Sequence, residues 1–236
     1  MSPDPTARSG TPRAPTAGRG RHTPNARRPP ARVVVAISAI LMLILGACGP
    51  AFDPTGPCTT DGAAPGAYPA LEAAVPATFR GSPPKQLDSG RTCTAAGLST
   101  LAGHGVAELR FAGATWETGT DSGVSLAVFL NASGPALERN WLVEFYETGA
   151  RAGRNVQSVD TSDYSLGGDM AARRIDVLNG ESFQTVVVWS REDRIVVALV
   201  ADFIREIQTR EAHDKVVREA TDAWALSGAR VDRVDS

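Results

Sequence analysis

Two runs, Val186-Val187-Val188-Trp189 and Val196-Val197-Ala198-Leu199-Val200, are apolar at every position, and the polar stretch Arg191-Glu192-Asp193-Arg194 lies between them. A strand sends successive side chains to opposite faces. A strand without polar alternation therefore has to be covered on both sides. The two runs are expected to be central strands of a sheet, with helices packed over them.

The neighbouring sequence contains such covers. Leu137, Trp141, Leu142, Phe145 and Tyr146 recur at i, i+4, i+5, i+8 and i+9, one apolar stripe on a 3.6-residue period. This predicts an amphipathic helix over about 136–149, opened by Ser133-Gly134-Pro135 with proline suited to the first turn. A C-terminal helix is expected over about 209–226. Val216, Val217, Ala220, Ala223 and Trp224 form its stripe, and Glu211/Lys215 and Asp214/Arg218 sit at i,i+4 on its wet side. Thr92 or Thr94 can cap a short helix running to about Leu101. Further strands are expected at Val106–Glu117, Val124–Leu130 and Ala171–Leu178, with Asn155–Asp160 as another candidate and Asn179-Gly180 as a tight turn. The prediction is α+β: an antiparallel sheet of about five strands in the order β-β-α-β-β-β-α. Over about residues 106–226 this pattern resembles the PsbP-like fold of photosystem accessory proteins and some small lipoproteins. The resemblance lies in the stripe helix Leu137–Tyr146, the run from Gly167-Gly168 to Ala171-Ala172-Arg173, the Asn179-Gly180 hairpin and the valine-rich pair ending at Phe203. Members of that fold do unrelated jobs, so it implies no activity.

The 236 residues carry a formal net charge of −2, which hides an asymmetry. Residues 1–47 hold seven Arg and one acid (+6), leaving seventeen Lys+Arg against twenty-five Asp+Glu (−8) in residues 48–236. Met1–Arg32 is dominated by Pro, Arg, Gly, Ala, Ser and Thr, a composition expected to be disordered. Behind Arg27, Arg28 and Arg32 follows the aliphatic run Val33–Leu45, a basic flank and apolar core as in a secretory signal. The core ends in Leu45-Gly46-Ala47-Cys48, which resembles the lipobox of bacterial lipoproteins. That resemblance implies cleavage between Ala47 and Cys48, a diacylglyceryl group on the Cys48 thiol, and acylation of the new N-terminus by a fatty acid such as palmitate. Val33–Phe52 also contains no charged residue, so an uncleaved single-span signal anchor over 33–52 is the alternative. Gly46, Gly49 and Pro50 weaken a helix in its last third. With seven Arg ahead of the apolar run, both readings place the residues after 52 outside the cytoplasm, at the cell membrane.

The expected organisation is a signal peptide over 1–47 with a disordered basic start, the lipidated Cys48 and a flexible linker over 48–70, one domain over 71–227, and a frayed tail over 228–236. A free linker of that length has a reach of roughly 25 Å. Of the three cysteines, Cys58 and Cys93 form an even pair once Cys48 is assigned to lipid, and a disulfide is expected in an oxidising compartment. Two free thiols or a metal site are the alternatives.

The chain has no G-x-S-x-G, Walker loop, H-E-x-x-H or C-x-x-C motif. His104, between two glycines, reads as a loop residue, and His213, beside Asp214, as part of a solvated helix face. Glu144 and Glu147 read as the border of the apolar stripe. Asp160, Asp163 and Asp169 form a loop cluster without regular Ca²⁺-loop spacing. Trp116, Trp141, Trp189 and Trp224 read as core. No catalytic residue, metal ligand or cofactor is assigned, and the net charge of residues 48–236 argues against nucleic acid as a partner. The expected function is a lipid-anchored, extracytoplasmic binding or interaction module with a protein or small-molecule partner. A cell-envelope structural or assembly factor is the first alternative, and a hydrolase without a recognisable motif the second.

Overall fold

The computed structural model describes residues 52–167 and 170–231, with residues 225–231 as backbone alone. Eight strands form one fully antiparallel sheet. They are β1 (Gly62–Ala64), β2 (Gln86–Thr92), β3 (Leu109–Glu117), β4 (Gly123–Asn131), β5 (Val156–Ser165), β6 (Ala171–Asn179), β7 (Ser182–Arg191) and β8 (Arg194–Phe203), in the order β1-β2-β3-β4-β8-β7-β6-β5. The helices are α1 (Pro69–Glu72), α2 (Ala95–Leu98), α3 (Thr100–Gly103), α4 (Arg139–Arg151), α5 (Ile204–Ile207) and α6 (Arg210–Val231). Among the described residues, no helix is long and apolar enough to cross a membrane.

The valine-rich strands β7 and β8 lie in the interior of the sheet, paired from Ser182↔Phe203 to Arg191↔Arg194. Val187 and Trp189, with Val196, Ala198 and Val200, face a core closed by Val216, Val217, Ala220 and Trp224 of α6 and Leu71 of α1. Val186 and Val188, with Ile195 and Val197, face the opposite core, closed by Leu142, Val143 and Tyr146 of α4 and by Leu98 and Leu101. A strand apolar on both faces thus finds a helix on each.

The α+β class and the antiparallel sheet agree with the sequence, whereas the strand count does not: there are eight strands among the described residues against about five expected. β1 and β2 carry no period-2 apolar pattern, and β5 extends past Asp160 to Ser165. α4 starts at Arg139 instead of about 136. The Asn131 Nδ2–H donates to the Pro135 carbonyl at 2.8 Å, and Gly134 has φ 115°, so Ser133-Gly134-Pro135 forms a turn ahead of the helix. Ser99, at φ 49°, splits the short helix expected after Thr94 into α2 and α3, while the Thr94 hydroxyl caps α2 by accepting from the Gly97 N–H at 3.1 Å. α6 continues to Val231, so helix replaces the start of the expected frayed tail.

The largest departure concerns the expected flexible linker. From Phe52 onward the chain is fixed against β2 as a strap. The buried Arg91 guanidinium donates to the carbonyls of Gly56 at 2.7 Å, Asp53 at 3.1 Å and Pro57 at 3.1 Å. It also lies 5.5 Å from the centre of the Phe52 ring. Cys58 and Cys93 form a disulfide with their Cα atoms 6.0 Å apart, so the pairing expected from sequence is present. Asp61 accepts from the N–H groups of Cys93 at 2.7 Å and Thr94 at 2.9 Å. β1 then pairs with β2 from Gly62↔Arg91 to Ala64↔Ser89.

Candidate functional site

The α4 side of the sheet is only partly roofed. A helix is about 10 Å wide and strands are about 4.8 Å apart, so one helix covers two or three strands. α4 lies over β5, β6 and β7, with α3 beside it. At the β3–β4 hairpin end, Thr115, Ser125 and Leu199 are left half-buried on the uncovered face. They floor a shallow trough of about 270 Å³ whose lining also includes Lys85, Gln86, Glu117, Thr120 and Asp121. Lys85 and Glu117 form an ion pair at its rim, and the Gln86 side-chain amide donates to Asp88.

The end of the trough is fixed by α5. The Ser122 hydroxyl donates to Glu206 at 2.6 Å and accepts from the Phe203 N–H at 3.1 Å, while Arg205 pairs with Asp121. Both hydrogen-bonding roles of Ser122 are thus used in holding the turn. The lining sets hydroxyl, amide and charged groups beside the apolar residues Leu199, Trp116 and Val124, a set suited to binding by hydrogen bonds and shape. A broader and more open depression of about 420 Å³ lies at the start of α4, lined by Leu137, Glu138, Arg139, Asn140 and Ser190. The first is the better candidate because it is more enclosed and has a mixed lining.

The other concentration of polar groups is sealed under α6. Asp202 on β8 is 2% exposed, and His213 on α6 and Thr185 on β7 are both 0% exposed. Asp176 accepts from Arg174 Nε at 2.8 and 3.0 Å and pairs with Arg210 at 2.7 Å. The Thr185 hydroxyl donates to Asp176 at 2.6 Å. Having spent its one proton, Thr185 accepts from His213 Nε2 at 2.9 Å. His213 Nδ1 meets Asp202 Oδ2 at 2.6 Å. An acid–histidine–hydroxyl chain is the connectivity of a nucleophilic triad, in which the imidazole takes the hydroxyl proton. Here the donor sense at the hydroxyl is the reverse and no member reaches solvent. The array therefore acts as a polar fastening between α6 and the sheet.

Outside the sealed array, the partly exposed Asp214 accepts from Arg174. Burial pushes the Asp214 carboxyl up, but the hydrogen bond and charge of Arg174, helped by Arg210 and His213, outweigh it and hold the group below its ordinary value. Burial opposes the Arg174 charge, and the bonds and charges of Asp214 and Asp176 more than offset that, so its affinity for the proton is raised.

The sequence reading of His213 as solvated is corrected: the side chain is fully buried. The signal was present, because positions 213, 216, 217, 220 and 224 continue one helical stripe. His104 is a surface residue, with its Nε2 2.7 Å from Glu144 and its ring stacked on Trp141 at 4.9 Å and 7°. Glu144 and Glu147 do not converge, since Glu147 accepts from the Thr161 hydroxyl at 2.5 Å and pairs with Arg151. Asp163 pairs with Arg173, and Asp169 lies outside the described residues. Among those residues no group of three or more His, Cys, Asp or Glu could hold a metal ion. Trp116, Trp189 and Trp224 are buried as expected, while Trp141 is half-buried under His104. Ala47, Cys48 and the apolar run 33–51 also lie outside the described residues.

Fold and site together define an α+β domain with a half-roofed antiparallel sheet and a disulfide-fastened N-terminal strap. Compared with known protein families and with curated proteins, the chain matches none.

Proposed function

We propose that the chain is an exported, lipid-anchored protein of the cell envelope whose domain binds a protein or small-molecule partner. The observation that carries this reading is the cysteine ledger. Of three cysteines, Cys58 and Cys93 are joined to each other, leaving one thiol, Cys48, and that one falls directly after an apolar run and the lipobox-like Leu45-Gly46-Ala47. A disulfide also fits an oxidising compartment. Two acyl chains, at about 0.8 kcal/mol per buried methylene, suffice for a stable anchor. The partly open sheet face supports a binding role for the domain, and the sealed Asp202–His213–Thr185 array favours binding over hydrolysis.

Metabolic labelling with a palmitate analogue tests the anchor. The wild type incorporates label and partitions with membranes, and Cys48→Ser does neither. Equal incorporation by both overturns the reading, and membrane retention of an unlabelled, uncleaved Cys48→Ser chain would favour a signal anchor over 33–52.

A further inference from the structure

We propose that the strap shortens the anchor, so that the domain sits against the bilayer with its Phe52–Thr60 end at the lipid headgroups and presents the trough on its far side. The proposal rests on lipid attachment at Cys48. Four backbone steps separate Cys48 from Phe52, and at no more than about 3.5 Å per step the chain spans about 14 Å. Beyond Phe52 no slack is left. Four carbonyls are held by Arg91, the Cys58–Cys93 disulfide follows, and Asp61 and β1 complete the attachment to β2.

The placement of the trough follows from the register of β2. The strap fastens at Arg91, whereas the trough begins at Gln86 and Thr115, which are cross-strand partners. Five residues of strand separate the two, about 17 Å. Residues 48–236 carry −8, so attraction to an anionic leaflet does not pull the domain flat. Tether length rather than surface adhesion sets the seating.

The test uses the acylated protein in phosphatidylcholine–phosphatidylglycerol vesicles, with acylation verified by intact mass. A nitroxide is attached through Thr59→Cys on the strap or Thr120→Cys at the trough, both exposed positions, and is relaxed by nickel chelated on lipid headgroups. The expected result is a several-fold larger relaxation enhancement at position 59 than at position 120. Equal enhancement at the two positions in protein of the acylated mass overturns the seating and leaves the anchor standing. Protein without the added mass overturns the anchor and the seating with it.

Discussion

Asp214 shows how a partly buried carboxylate can be worth more to the fold than its exposure suggests. Burial alone would raise its proton affinity, yet Arg174, itself held between Asp176 and Asp214, reverses the sign. A carboxyl whose folded value is depressed stabilises the fold above its unfolded value, and the contribution disappears as pH falls through the folded value. Asp214→Asn is therefore expected to lose about 1.5 kcal/mol at neutral pH, the low end for a hydrogen bond to a charged group. The gap to wild type should begin to shrink as the pH drops below about 4, the ordinary carboxyl range, and close only as it passes through the depressed folded value. Urea unfolding of both proteins across that range measures it, and a gap that stays constant would show that Asp214 contributes through packing instead.

At the scale of elements, α6 is held by two different means. Val216, Val217, Ala220 and Trp224 bury apolar surface, and His213 ties the first turns to Asp202 and Thr185. His213→Ala leaves the Asp202 carboxylate buried without its partner, and a loss of about 3–5 kcal/mol is expected by chemical denaturation. A loss below about 1 kcal/mol would mean that water reaches Asp202. The elements also show what sequence can disclose. β7, β8 and the stripe of α4 were legible because their burial is written in their own apolar residues. β2, with the sequence QLDSGRT, was not. Its buried Ser89 and Arg91 are covered by groups brought from elsewhere, the Glu72 carboxylate and the strap carbonyls. The burial of His213 is written in its spacing to Val216, Val217 and Ala220 along the helix, not in its charged neighbour Asp214.

For the whole molecule, the strap joins residues that composition assigned to a tether. Gly, Pro and Thr do offer little to bury. What fixes them is mostly their carbonyl oxygens, a group every residue carries and no composition can reveal. The trough was equally hidden, since it arises from one helix roofing only part of an eight-stranded sheet. The disulfide closes a separation of 35 residues, for which chain entropy gives about 3–4 kcal/mol. The Cys58→Ser/Cys93→Ser double variant should be destabilised by that amount in equilibrium unfolding, and an unchanged midpoint would show that Arg91 and β1 hold the strap unaided. Where β1 crosses onto β2, a Cβ at Gly90 would stand 2.2 Å from the Gly62 carbonyl oxygen and 2.7 Å from the Ala63 Cβ. Glycine at that position is what lets β1 lie this close to β2, so the seating of the strap depends on a residue without a side chain as much as on the Arg91 and Cys93 that follow it.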